Sequence, residues 1–235
     1  MRTLENRIAR LEEVRRKRRR IASPSEQVQA ATRDTWTWVR GYTETFNEHW
    51  VVEGRPTPYE KFPDWPYFPA LFEIIEDPDE RILWFEKSRD MMLSWACMAY
   101  FTLKAMTMPE CGILVQTQKE KKAVQLIEYA KCLYRRQPQF LLHEFKLWKP
   151  VDQQPALALI FDHGGKIEGI PGGADQIRSY HPWGYLNDES SFQPDAGECY
   201  NEALSAVAGK IIFNSSAGPG WYADARRDIV RNVED

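Results

Sequence analysis

The chain has 235 residues, 31 Lys and Arg against 34 Asp and Glu, and a formal charge of −3. With 43% apolar residues and 9 Trp, 10 Tyr and 11 Phe it can bury a substantial core, which argues against wholesale disorder and against a collagen-like or repeat architecture. No apolar run approaches the roughly 20 residues of a membrane-spanning helix, the N-terminus is too charged for a secretory leader, and Cys97, Cys111, Cys132 and Cys199 are too scattered for a disulfide framework or a zinc knuckle. A soluble, intracellular protein with buried thiols and no membrane partner is expected.

Met1 to Arg20 places Leu4, Ile8 and Leu11 at helical spacing and ends in an unbroken basic run from Arg15, predicting a short charged helix that stops near Ser23-Pro24. It reads either as an attachment to DNA phosphates or an acidic partner, or as a solvated arm. Ser25 to Trp50 carries Val28, Ala31, Trp36, Val39 and Phe46 at helix-compatible spacing, with Ser23 or Ser25 as N-cap. Between Val51 and Pro69 the density of proline predicts no regular element.

From Arg81 onward short apolar runs alternate with helical patterns. Ile82 to Phe85, Ile113 to Val115, Trp183 to Asn187 and Lys210 to Asn214 read as strands; Ser94 to Met106, Gln118 to Arg136 and Glu198 to Ala208 read as helices. Leu157 to Phe161 and Lys166 to Ile170 flank Gly164-Gly165 as a hairpin. Such alternation predicts a mostly parallel sheet with helices on both faces, whose ligands sit at the carboxyl ends of strands.

Three strand ends carry chemistry. After the first strand comes Lys87-Ser88-Arg89-Asp90-Met91-Met92-Leu93-Ser94, running straight into a helix. In a regular phosphate loop glycines let backbone N–H groups close on phosphates, a Lys neutralises them and a hydroxyl holds magnesium. Ser94 stands where that hydroxyl belongs, Met92 replaces the second glycine, Leu93 the usual Lys, and Lys87 supplies the basic group at the loop start. Asp188-Glu189-Ser190 follows the Trp183 strand, with Asp188 suited to a magnesium shell and Glu189 to activating water. Ser215-Ser216 ends the last strand, where short hydroxyls can sense a γ-phosphate or simply satisfy a turn.

Taken together these segments resemble the ATPase domain of the large terminase subunit, the DNA-packaging motor of tailed bacteriophages, over about Phe62 to Gly220. Lys87 to Trp95 resembles that family's deviant Walker A loop, Gly184 to Ser190 its Walker B with catalytic Glu, and Phe213 to Ala217 its coupling motif. Ile170-Pro171-Gly172-Gly173 and Arg178 resemble the stretch before Walker B. The resemblance implies an α/β, P-loop NTPase-like fold of the additional-strand, catalytic-glutamate type with an N-terminal helical appendage, and a coupling strand lying between the loop strand and the Walker B strand.

It also implies roles: Lys87 to Ser94 for ATP, Ser94 and Asp188 for Mg2+, Glu189 for water, Arg89 for transferred charge or else a structural loop ion pair, and Ser215 and Ser216 for coupling. Arg178 is a weaker candidate for the role of Arg89. Trp65 and Tyr67 are candidates for stacking on the base, although packing against the prolines is the commoner use of such residues. Double-stranded DNA, a portal protein and a small terminase subunit are the implied partners, in a homo-oligomeric ring that can be a monomer in isolation, within the host cell cytoplasm. The expected organisation is a basic arm (1–23), a helical and proline-rich appendage (24–61) and an ATPase core (62–235) that stops before a lid and nuclease, so DNA cleavage is not expected. The rivals are a helicase-class motor, which ordinarily shows Gly-Lys-Ser/Thr and a second motor domain, and a degenerate nucleotide fold used for docking.

Overall fold

The computed structural model describes residues 25–234, with side chains described to residue 228; the expected helix over Met1 to Arg20 and the Ser23 cap lie outside the described residues. In place of one helix over Ser25 to Trp50 there are two short ones, α1 (Glu26–Ala31) and α2 (Thr35–Tyr42). The break is a capping event: Asp34 has an extended backbone and its carboxylate accepts from the Thr37 N–H at 2.6 Å, starting a new helix. Ser25 caps α1 as expected, accepting from the Val28 N–H at 3.3 Å.

The chain then makes a small antiparallel pair, β1 (Thr45–Phe46) with β2 (Tyr59–Glu60). A further helix, α3 (Tyr67–Glu76), corrects the expectation that proline forbids regular structure here. Pro66 is its N-cap and Pro69 lies in its first turn, where an N–H has no intrahelical acceptor to lose. Its buried Phe68 and Phe72 pack with Phe62 and Trp36, Phe62 and Phe68 meeting edge to face at 4.7 Å.

The core follows as β3 (Ile82–Lys87), α4 (Leu93–Thr107), β4 (Gly112–Gln116), α5 (Glu120–Arg135), α6 (Gln139–Glu144), β5 (Ala158–Ile160), β6 (Lys166–Ile170), α7 (Asp175–Arg178), β7 (Gly184–Asp188), α8 (Ala196–Ala206), β8 (Ile211–Ser216) and α9 (Trp221–Glu234). One six-stranded sheet has the order β3-β8-β7-β4-β6-β5, parallel except for β5. The hairpin of β5 and β6 turns at Gly164, with φ +89°, and Gly165, where a Cβ would sit 2.1 Å from the Ala105 carbonyl oxygen.

Strands buried on both faces read as unbroken apolar runs, which is why they were visible in the sequence. Leu83, Ile113, Val115, Leu186 and Ile212 join the larger core with α4 and α5, and the residues of α1 to α3 belong to that same cluster. Leu114, Tyr185, Ile211 and Phe213 face the other way, onto Ile177 of α7, Cys199 and Ala203 of α8 and Tyr222 of α9. On that side Trp84 stacks on Phe213 at 4.9 Å and lies 5.3 Å from Trp221. The strand β8 sits between β3 and β7, the position expected for it from the sequence.

Candidate functional site

α4 is buried almost from end to end, so the chain leaving β3 must turn sharply to enter the core. It does so without glycine: Asp90 and Met92 take left-handed backbones, with φ +62° and +49°. α4 begins at Leu93 with no side-chain cap, leaving its first N–H groups and the positive end of its dipole at the floor of a cleft of about 780 Å³. Lys87 lies at the end of β3, in register with Ser216 of β8.

Three adjacent elements meet on the floor. The Ser94 hydroxyl donates to the Asp188 carboxylate, 3.0 and 3.1 Å from its two oxygens. Asn214 of β8, in register with Asp188 of β7, donates Nδ2 to Asp188 Oδ1 at 2.5 Å and lies 3.4 Å from the Ser94 oxygen. Burial pushes the Asp188 carboxyl up to about 6, with the Ser94 hydrogen bond and the Lys87 charge opposing the rise. The Asn214 Oδ1 atom is buried with no partner among the described residues. Glu189 follows with a left-handed backbone, φ +59°, half-buried on the cleft wall.

The opposite face of β7 holds a closed polar network. Tyr185 donates to Gln116 Oε1 and accepts from Asn187 Nδ2 at 2.8 Å. Asn187 Oδ1 accepts from Gln193 Nε2 at 2.8 Å and from the Ser190 hydroxyl at 2.7 Å; Gln193 also donates to the Asp188 carbonyl at 2.7 Å. Gln116 Nε2 reaches the carbonyls of Pro171 and Gly173 at 2.8 and 2.9 Å, which ties the Pro171 to Gly173 turn to the backbone of Asp188.

Of the residues singled out in sequence, Lys87, Arg89, Asp90, Met92, Leu93, Ser94, Asp188, Glu189 and Ser216 line the cleft, whereas Ser88, Met91 and Ser215 do not. Ser215 points the other way because side chains alternate along a strand. It is fully buried, accepts from the Ser191 N–H at 3.0 Å and donates to the Ser216 carbonyl at 2.9 Å. Arg89 is exposed, lines the cleft and makes no ion pair among the described residues. Arg178 is taken up by Glu202 at 2.7 Å and Asp175 at 3.2 Å, away from the cleft.

Trp65 lines the cleft while stacked on Phe68 at 5.6 Å, and the Tyr67 hydroxyl donates to the Met91 carbonyl at 2.7 Å instead of facing a base. The residue missed in the sequence is Asn214; its parity with Ser216 along β8 was the signal. Also missed was the far wall, where Gln125 and Tyr129 of α5 face the β1–β2 segment and Tyr129 stacks on Trp95 at 3.9 Å. Oxygen ligands from Ser94 and Asp188, with no cluster of three or more His, Cys, Asp or Glu among the described residues, suit a hard cation that takes its remaining ligands from phosphate and water.

No protein-family profile matches the chain, and no curated protein matches it in sequence. In three dimensions it is similar to the large terminase of bacteriophage HK97, with a TM-score of 0.62 at 9% identity over 88% of this chain and 42% of that one. It is also similar to the ATPase domain of a Thermus phage large terminase, with a TM-score of 0.50 at 12% identity over 77% of this chain and 73% of that one. The chain therefore spans less than half the length of the HK97 protein. What the likeness establishes is the fold: the six-stranded, mostly parallel sheet with helices on both faces has the P-loop NTPase-like architecture of large terminase ATPase domains.

Proposed function

We propose that this chain is the ATPase portion of a DNA-packaging motor, hydrolysing ATP with Mg2+ to drive double-stranded DNA into a procapsid in the host cytoplasm. The observation that carries this reading is the meeting of Ser94, Asp188 and Asn214 across β8 and β7, beneath an uncapped helix start. Lys87 and the first N–H groups of α4 hold the phosphates, and Ser94 and Asp188 hold the cation. A Mg2+ ion held by Ser94 and Asp188 would supply positive charge to offset what develops on the phosphate oxygens. Asn214 donates to Asp188 and so helps to orient that carboxylate. Glu189 orients the attacking water and takes its proton, and Arg89 offsets charge on the transferred group in its own subunit or a neighbour's.

The likeness to terminases extends the proposal to a homo-oligomeric ring that engages a portal protein and a small terminase subunit. Ser216 faces the cleft and Ser215 binds the Ser191 backbone, so β8 contacts both the phosphate side and the Walker B turn, as a coupling strand requires. Steady-state ATP turnover with Mg2+, with EDTA and in Glu189→Gln tests the reading. EDTA should abolish turnover, and Glu189→Gln should lower it about 10²- to 10⁴-fold with ATP affinity kept. Wild-type turnover in Glu189→Gln would remove Glu189 from the reaction.

A further inference from the structure

The loop between β3 and α4 holds its shape against its own composition. From Ser88 to Met92 it has no glycine, yet Asp90 and Met92 are both left-handed. That conformation is strained for a non-glycine residue and persists where the surroundings over-determine it. Between the two strained residues sits Met91, whose carbonyl accepts the Tyr67 hydroxyl at 2.7 Å. Among the described residues this is the one hydrogen bond that a side chain outside the loop makes to residues 88–92.

Tyr67 is well placed to act as an anchor. It opens α3, and its ring lies 4.4 Å from that of Phe68, which is fully buried in the aromatic cluster with Phe62 and Phe72. Burial pushes its hydroxyl pKa up to about 12, so it stays a donor throughout the neutral range. We propose that Tyr67 is a positioning residue that holds the glycine-free loop in its anion-receptive shape, supplying by one hydrogen bond what glycine's backbone freedom supplies in a regular phosphate loop. The inference rests on reading this loop as the ATP phosphate site. Tyr67 touches no phosphate; it acts through Met91 and the two strained residues beside it.

The test removes the hydroxyl and keeps the ring. Tyr67→Phe in the full chain should raise the KM for Mg-ATP about three- to tenfold, the worth of one net hydrogen bond, with kcat within about twofold. Met92→Gly should relieve the need for the tether, so that in this background the same change raises KM less than about twofold. Amide exchange reads the tether without nucleotide. The Ala96 N–H, bonded to the Met92 carbonyl at 3.0 Å, should exchange several-fold faster in Tyr67→Phe, with α3 unaffected. An unchanged KM, an equal rise in both backgrounds, or unchanged Ala96 exchange would overturn the tether. A wild-type chain that neither binds nor hydrolyses ATP would overturn the nucleotide reading instead, and the Ala96 exchange would still decide the tether.

Discussion

The two faces of β7 treat their polar groups in opposite ways. Asn187, on one face, has its amide oxygen and nitrogen bonded within a network that also engages Gln116, Tyr185, Ser190 and Gln193. Asp188, one residue on, faces the cleft with a carboxyl raised by burial, beside an unpartnered Asn214 oxygen and an uncapped helix. A buried polar network rigidifies when every member is satisfied, whereas a buried group left short of partners costs free energy that a ligand can return. Under the proposed function, stability is concentrated on the closed face and chemistry on the open one.

The largest effect that tests this contrast is on the closed face. Asn187→Ala takes one hydrogen-bond partner each from the Tyr185 hydroxyl, the Ser190 hydroxyl and the Gln193 amide and leaves a cavity among them, and should cost about 2–4 kcal/mol, read as a fall in urea midpoint at unchanged m-value. A loss under about 0.5 kcal/mol would break the comparison, because surface changes do as much.

On the open face the sign reverses. Asp188→Asn should stabilise the metal-free protein by on the order of 1 kcal/mol, since a neutral amide removes a buried charge, while weakening Mg-dependent ATP binding. The folded carboxyl holds its proton to about pH 6 whereas the unfolded one releases it near 4, so this group's contribution to stability is complete below about pH 4 and lost as the pH rises through about 6. Chemical denaturation of metal-free wild type and variant at pH 5 and pH 7 checks both statements: the difference between them should shrink at pH 5.

The smallest effect sharpens the contrast within one strand. Ser215→Ala should cost about 1 kcal/mol, for it frees the Ser191 N–H, and leave ATP affinity within a few fold. Ser216→Ala, on the cleft side, should leave stability unchanged and lower DNA movement per ATP in a full packaging assay. If Ser215→Ala lowers movement per ATP as much as Ser216→Ala with no loss of stability, the division of labour between the two residues fails.

Much of the fold was legible because doubly covered strands and a core helix such as α4 are continuous apolar runs, and their order with Asp-Glu at one strand end restricted the topology. What escaped was decided by local exceptions. Pro66 and Pro69 look like helix breakers until one is the N-cap and the other falls in the first turn, where the missing N–H costs nothing. Asp34 looks like one more polar residue in a helical pattern until its carboxylate caps a new helix. At the site, Lys87, Ser94, Asp188 and Glu189 were visible by type and position. Asn214 was passed over because the neighbouring hydroxyls drew the assignment, although strand alternation puts Asn214 and Ser216 on one side and Ser215 on the other.

The Trp84 stack gives the molecule a property of another kind. Trp84 lies on β3, the strand that leads into the loop, against Phe213 of β8 and Trp221 of α9. Indole emission depends on what lies within a few ångströms of the ring, so the chain carries its own optical gauge of the spacing between β3, β8 and α9. A shift of α9 or β8 against β3 changes the surroundings of Trp84 and Trp221 together, and its time course can be followed in the unlabelled protein.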